Sequence, residues 1–166
     1  PEDLNFAQRH LRILSGLYGI LRPLDLIQPY RLEMGTKLQN SRGKNLYEFW
    51  GSQIAQALNA ASAQLDSPCL VNLASNEYFK VVDRQALRLP LLNISFKERR
   101  NDRYRVIAIH AKRARGLMVD YAVRERVDTV EKLKQFDVEG YQFNSELSSA
   151  QEWVFCRGDI ERDSSD

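Results

Sequence analysis

Residues 15–35 read SGLYGILRPLDLIQPYRLEMG, a stretch that places glycine and proline inside an otherwise hydrophobic run. Gly16 and Gly19 remove side chains where the backbone must approach another segment closely or take a positive φ. Pro23 and Pro29 fix φ and favour extended geometry in the residue before each of them. We therefore predict that the chain folds back on itself twice within this stretch.

Three polar residues follow the second proline, namely Tyr30, Arg31 and Glu33. On a strand, the side chains of Arg31 and Glu33 would share one face, because strand side chains alternate with a period of two. The stretch therefore predicts a polar pair on a rigid hydrophobic support.

The charges of the chain are unevenly distributed. Its 166 residues include 24 Lys or Arg and 22 Asp or Glu, a formal net charge of +2. Residues 97–126 contain ten Lys or Arg and four Asp or Glu, which gives this segment +6 and leaves −4 for the remainder. This asymmetry predicts a basic face on a mildly acidic body.

Length and composition predict a single domain. A chain of 166 residues with 43% hydrophobic content can build a core of ordinary size. We predict one mixed α/β domain over residues 1–158, with a central mixed sheet flanked by helices, and a disordered acidic tail over residues 159–166. Because the chain begins at Pro1 and enters a helix almost at once, we expect it to be a portion of a longer protein.

The cysteine content and the hydropathy of the chain favour a cytoplasmic location for the protein. Cys69 and Cys156 lie far apart in apolar runs, which predicts reduced core thiols rather than a disulfide. No apolar run approaches the ~18 residues that a membrane-spanning helix needs, so no membrane partner is expected. We therefore expect a cytoplasmic protein; the sequence leaves its oligomeric state open.

Hydrophobic periodicity and capping residues predict alternating helices and strands. Asn45 and Ser75 are good N-caps, each followed by a helical pattern. A charged hairpin tip, residues 98–102, separates two predicted strands. The predicted helices cover residues 2–14, 46–61, 76–79, 111–122 and 129–133, and the predicted strands cover residues 69–74, 91–97, 104–110 and 153–156.

A basic cluster lies beside Gly116 and consists of Lys112, Arg113 and Arg115. Of the polar clusters in the sequence, it is the easiest to interpret physically. It follows a predicted strand at the start of a helix, where the helix dipole favours anions. Glycine inside a helix costs about 1 kcal/mol, and its missing side chain leaves the backbone approachable. The cluster predicts a phosphate site; a solvated basic helix face is the alternative.

Two carboxylates could act as an acid–base or metal-binding pair, Glu33 and Glu77. Equally, they could form salt bridges with Arg31 and Lys80. Ser75 and Glu77 fall at the exit of a predicted buried strand, a position where ligands bind in open α/β sheets. Tyr18 and Ser75 complete the set of catalytic candidates, although none of the specific catalytic signatures occurs, and enzyme status stays open.

Three motifs, in order and in register, resemble the signatures of the YaaA family of peroxide-stress proteins. They are residues 15–34, residues 72–80 (NLASNEYFK) and residues 112–118 (KRARGLM). The resemblance implies a cytoplasmic bacterial protein of mixed α/β fold that protects against hydrogen peroxide by limiting free intracellular iron. It also implies DNA binding through a positively charged cleft. Members of this family begin with a strand and an Ile-Ser-Pro-Ala-Lys motif, so we expect this chain to be the C-terminal portion, without the N-terminal strand.

Two functions from different classes follow from these observations. The first is non-specific DNA binding through phosphates; the alternative is an enzyme acting on an anionic or nucleotide-like small molecule in the same cleft. With two His and two Cys, none near another in sequence, we predict no cofactor and no high-affinity iron site. The predicted DNA- or anion-binding residues are Arg31, Lys80, Lys112, Arg113, Arg115 and Gly116.

Overall fold

The computed structural model describes residues 2–65 and 68–158, which fall into two compact units divided after Leu91. Both units contain helices and strands, and the predicted mixed α/β class is confirmed. The predicted acidic tail, residues 159–166, lies outside the described residues, and the single-domain boundary stays a prediction.

The first unit is built around a hairpin and several helices. Strands β1 and β2 pair antiparallel, with Ser15 opposite Gly19, so the predicted first reversal of the chain is confirmed. Met34, Ile54 and Leu58 are among the buried residues of its core. Its elements are α1 (Glu2–His10), β1 (Ile13–Ser15), β2 (Gly19–Leu21), α2 (Leu46–Trp50), α3 (Gln53–Leu65), β3 (Leu70–Asn72) and α4 (Asn76–Phe79).

The first helix ends earlier than the periodicity predicts. The Arg12 side chain donates to the carbonyl oxygens of Gln8, Arg9 and Leu11 at 3.3, 3.0 and 2.8 Å, which satisfies acceptors at the end of α1. The following residues then pair with β2 instead of continuing the helix. The prediction of a helix over residues 2–14 is therefore wrong beyond His10, because strand pairing competes for the same apolar residues.

The helix predicted over residues 46–61 is divided in two. Asn45 caps α2 as predicted, since its side chain accepts from the backbone N–H of Glu48 at 2.9 Å. Gly51 then takes a φ of 49°, which ends α2 before α3 begins. Ser75 caps the short helix α4 as predicted.

The second unit contains a mixed sheet in the order β6-β7-β4-β5. Strands β4 and β7 run parallel, whereas β5 pairs antiparallel with β4 and β6 antiparallel with β7. Aromatic rings of Phe96, Phe136 and Phe155 pack together, with centroids 5.6 to 6.0 Å apart. Its elements are β4 (Leu91–Arg100), β5 (Arg103–Arg105), α5 (Ala108–Arg124), a 3₁₀ helix (Val130–Gln135), β6 (Gln142–Asn144) and β7 (Glu152–Arg157).

The predicted hairpin exists, but its turn is shorter than expected. Asn101 and Asp102 have φ of 50° and 59°, so two residues suffice to reverse the chain. Glu98 consequently lies within β4 rather than at the hairpin tip. The strand predicted over residues 104–110 is wrong in extent and in burial, because β5 is short and exposed and α5 already begins at Ala108.

Candidate functional site

Both glycines of the opening motif are required by close packing. A Cβ on Gly16 would lie 2.4 Å from the carbonyl oxygen of Leu32. Gly19 has a φ of 75°, and a Cβ there would lie 2.8 Å from the Trp50 ring. Trp50 also donates from Nε1 to the Gly16 carbonyl at 3.1 Å. The close approach predicted for this stretch is therefore confirmed.

A cluster of hydroxyl groups lies at the turn of the β1–β2 hairpin. The buried Ser15 Oγ lies 2.5 Å from the Tyr30 hydroxyl and accepts from the Tyr18 backbone N–H at 3.0 Å. The Tyr18 hydroxyl accepts from the Gln28 backbone N–H at 3.0 Å. Tyr18 and Tyr30 meet edge to face, with centroids 5.4 Å apart. This geometry holds residues 15–30 together and leaves Tyr30 partly exposed.

The two candidate carboxylates are held by neutral donors. Glu33 Oε2 accepts from the Tyr78 hydroxyl at 3.0 Å, and Glu77 Oε1 accepts from the Gly35 backbone N–H at 2.9 Å. Within the described residues, neither carboxylate forms the salt bridge with Arg31 or Lys80 that was the alternative interpretation. Both carboxylates therefore bring a formal negative charge to one part of the first unit.

Lys80 and two tyrosines complete this region. The Lys80 ammonium lies 5.0 Å from the centroid of the Tyr47 ring, and the Tyr47 hydroxyl donates to the Glu77 carbonyl at 2.9 Å. Burial and the hydrogen bond to Glu33 raise the pKa of Tyr78 to about 12. Burial and the Glu77 carboxylate also raise the pKa of Tyr47. Both hydroxyls therefore remain protonated donors at neutral pH.

Ser75 has a structural hydrogen bond. Its Oγ accepts from the Tyr78 backbone N–H at 3.4 Å and caps α4. The Tyr18 hydroxyl, likewise, is an acceptor for the backbone. Of the four catalytic candidates, the two carboxylates are the ones with a charge available for chemistry.

The basic cluster lies on α5, with one side of the helix buried. Ala111, Ala114 and Met118 are buried as predicted, while Lys112 and Gly116 are exposed. Because α5 begins at Ala108, the cations lie in its second and third turns rather than at its positive end. The prediction that the helix dipole assists them is therefore weakened by distance, since that effect fades within the first turn.

The three cations of the cluster differ in their partners. Arg113 donates from Nε to both carboxylate oxygens of Glu139, at 2.8 and 3.0 Å. Arg115 is half-buried and donates from Nε to the Ala111 carbonyl at 3.2 Å. Lys112 forms no ion pair with any of the described residues. A Cβ on Gly116 would meet nothing within 4 Å, so packing does not require this glycine.

The second unit also contains a buried ionic network that sequence reasoning missed. Glu98 is 2% exposed, and its Oε1 accepts from the Tyr141 hydroxyl and the Arg157 Nε, both at 3.0 Å. His110 Nδ1 lies 2.5 Å from the same oxygen. The Arg157 guanidinium stacks 4.6 Å from the centroid of the Tyr141 ring. These contacts join β4, α5 and β7.

A signal for this network was present in the sequence. Leu92, Ile94 and Phe96 alternate as buried residues along β4, and Glu98 continues the same face. Burial alone would raise the pKa of Glu98, but the donors outweigh that effect and hold its pKa below the ordinary value. Its second oxygen has no hydrogen-bond partner among the described residues, and Arg100 Nη2 lies 3.6 Å away.

The described residues contain neither a cluster of metal ligands nor a membrane-spanning helix. Within residues 2–65 and 68–158, no three His, Cys, Asp or Glu side chains are grouped to hold a metal ion. In the same residues, no helix is both long and apolar enough to cross a bilayer. Cys156 is buried and Cys69 is partly buried, and the two are not joined in a disulfide.

Comparison with known proteins identifies close relatives. The family model described as peroxide stress protein YaaA matches residues 1–147. A UPF0246 protein of Acaryochloris marina is 64% identical over 157 residues, covering 95% of this chain and 62% of the relative. UPF0246 proteins of Ralstonia nicotianae and Cellvibrio japonicus are 56% and 55% identical, each covering 94% of this chain and 61% and 60% of the relative.

The chain thus spans about three fifths of the length of these curated relatives. The family match extends through all three motifs, residues 15–34, 72–80 and 112–118. The chain belongs to the YaaA family of peroxide stress proteins.

Proposed function

We propose that this chain acts in a cytoplasmic peroxide-stress protein that binds DNA non-specifically through phosphates and so limits iron-driven damage to DNA. Membership of the peroxide-stress family supports the physiological role. The net charge of +6 on residues 97–126 supports the DNA partner.

One observation carries the proposal, namely the group of exposed cations without carboxylate partners in the second unit. Arg103 and Arg105 on β5 and Lys112 on α5 are exposed and form no ion pair with any described residue. A cation already neutralised within the protein, such as Arg113 with Glu139, gains less from a phosphate. Lys112, rather than Arg113, is therefore the strongest of the predicted contacts, with Arg115 beside it.

The effect on iron is proposed to be indirect. High-affinity iron sites use His, Cys or clustered carboxylates, and the sequence predicts no such site. The proposal therefore places the protein on the DNA, where it shields the DNA from hydroxyl radicals formed by iron and peroxide. Iron titration followed by calorimetry tests this: stoichiometric, micromolar binding of ferrous iron that is lost in Glu33→Gln or Glu77→Gln would overturn the indirect route.

A protection assay tests the proposed function. Plasmid DNA is exposed to ferrous iron and peroxide with the protein or with its Lys112→Ala/Arg115→Ala variant. We expect the wild-type protein to reduce strand breaks, and the variant to protect less in proportion to its lower DNA affinity. Equal protection by both proteins would show that these residues are not the DNA surface.

An enzyme acting on an anionic or nucleotide-like small molecule is the second candidate. It is favoured by the two carboxylates, Glu33 and Glu77, which accept hydrogen bonds from neutral donors instead of ion pairs. Nucleotides that raise the melting temperature of the wild-type protein, but not of Glu33→Gln, would support this function. Glu48→Gln provides a control, since Glu48 belongs to the cap of α2.

A further inference from the structure

We propose that the β4–β5 ribbon, residues 98–105, is the element that enters a groove of duplex DNA. This inference rests on the proposed DNA binding and names its contact surface. None of the predicted binding residues lies on this ribbon.

The ribbon extends beyond the strand next to it in the sheet. Pairing of β4 with β7 ends where Glu98 lies opposite Arg157. Pairing of β4 with β5 starts at that residue, with Glu98 opposite Arg105, and continues to Arg100 opposite Arg103. Residues 99–104 therefore form a two-stranded projection past the end of β7.

The tip of this projection is tight. Asn101 and Asp102 both have positive φ, as the turn type that matches the twist of two-residue hairpins requires. Asp102 also accepts from Arg99 at 2.7 Å, which ties the two sides of the turn together. A hairpin of this kind loses little conformational freedom on binding, which favours affinity.

Three arginines share one face of the ribbon. Directly opposed residues of an antiparallel pair share a face, so Arg100, Arg103 and Arg105 lie on the same side. Glu98 shares this face, but it is buried and engaged by the donors of β7 and α5. Arg103 and Arg105 are exposed, and neither forms an ion pair within the described part of the chain.

The buried network braces the base of the ribbon. Glu98 joins it to β7 through Arg157 and to the first turn of α5 through His110. The Tyr141 hydroxyl is a further donor to the same carboxylate. These contacts fix the direction in which the ribbon projects from the sheet.

Exposed apolar residues are adjacent in sequence to these cations. Tyr104 on β5 is 41% exposed, Val106 between β5 and α5 is 57% exposed, and Ile109 on α5 is 72% exposed. A major groove about 12 Å wide admits a two-stranded ribbon. Guanidinium groups match phosphate oxygens in geometry, while apolar side chains can pack against the sugars of the backbone. Duplex DNA therefore fits both the shape and the chemistry of the ribbon.

The test is a salt titration of affinity for a short mixed-sequence duplex, measured by fluorescence anisotropy. Arg103→Ala/Arg105→Ala is compared with Arg84→Ala/Arg88→Ala, a control that removes two exposed positive charges from the first unit. We expect the ribbon variant to bind at least about tenfold more weakly, with a log–log salt slope shallower by about 1.8, since each phosphate contact contributes about 0.9. Arg103→Lys/Arg105→Lys should keep most of the slope, and circular dichroism should show that all variants are folded.

The outcomes separate the two proposals. Absence of salt-dependent binding by the wild-type protein would contradict the proposed function, and the ribbon inference with it. Wild-type binding that Arg103→Ala/Arg105→Ala reduces no more than the control does would overturn the ribbon inference alone. The ribbon inference would also be overturned if the ribbon variant kept its affinity for the duplex and lost affinity only for single-stranded DNA. The ribbon arginines would then contact single strands and not a groove of the duplex.

Discussion

Two glycines illustrate how much the function of one residue type depends on its surroundings. A Cβ on Gly16 would lie 2.4 Å from the Leu32 carbonyl oxygen, whereas a Cβ on Gly116 would meet nothing within 4 Å. We predict that Gly16→Ala lowers the free energy of unfolding by about 1–3 kcal/mol, because the backbone must shift. Gly116→Ala, in an exposed helix interior, should raise it by about 1 kcal/mol. Urea denaturation of both variants checks this pair, and equal effects would contradict it.

The buried ion pair between Glu98 and Arg157 should contribute strongly to stability. Glu98→Gln removes the charge that compensates the largely buried Arg157, so we expect the free energy of unfolding to fall by about 3 kcal/mol at neutral pH. The control is Glu139→Gln, whose more exposed ion pairs should contribute about 1 kcal/mol or less.

The stabilisation that Glu98 provides should decrease as the pH is lowered. Because the pKa of Glu98 is lowered on folding, its contribution is complete above the ordinary pKa of a glutamate and is lost as the pH falls through the lower pKa of the folded state. The difference between wild type and Glu98→Gln should therefore shrink on acidification. A difference that is constant across this range, in urea melts at neutral and acidic pH, would contradict the prediction.

At the scale of elements, the caps were predictable and the strand partners were not. Asn45 and Ser75 act locally, through backbone groups three residues away, so sequence spacing was sufficient to place them. β1 depends on pairing with β2, which the helical periodicity of residues 2–14 concealed. The burial of Glu98 depends on β7 and α5, and no local pattern specifies those donors.

The Asn45 cap of α2 should make a measurable contribution to the free energy of unfolding. Asn45→Ala removes the acceptor for the Glu48 N–H, so we predict a loss of about 1 kcal/mol in the free energy of unfolding. Asn45→Asp keeps an acceptor oxygen and should retain most of the stability. Thermal or urea denaturation of the two variants provides the comparison. An alanine variant as stable as wild type would show that the cap contributes little.

At the scale of the whole molecule, the sequence identified the basic segment but not its free cations. The composition of residues 97–126 gives this segment its excess of positive charge. Which cations are available depends on partners distant in sequence, such as Glu139 for Arg113. For the same reason, Glu33 and Glu77 could be proposed as a pair, whereas their actual donors, Tyr78 and the Gly35 N–H, could not.

The most direct test of DNA binding through phosphates is the salt dependence of wild-type affinity for duplex DNA. If Arg103, Arg105 and Lys112 each neutralise one phosphate, the logarithm of the association constant should fall linearly with the logarithm of salt concentration, with a slope of about −2.7 or steeper. Affinity should be similar for unrelated duplex sequences, because phosphate contacts do not read bases. A slope near zero, or no measurable binding at low salt, would contradict the account.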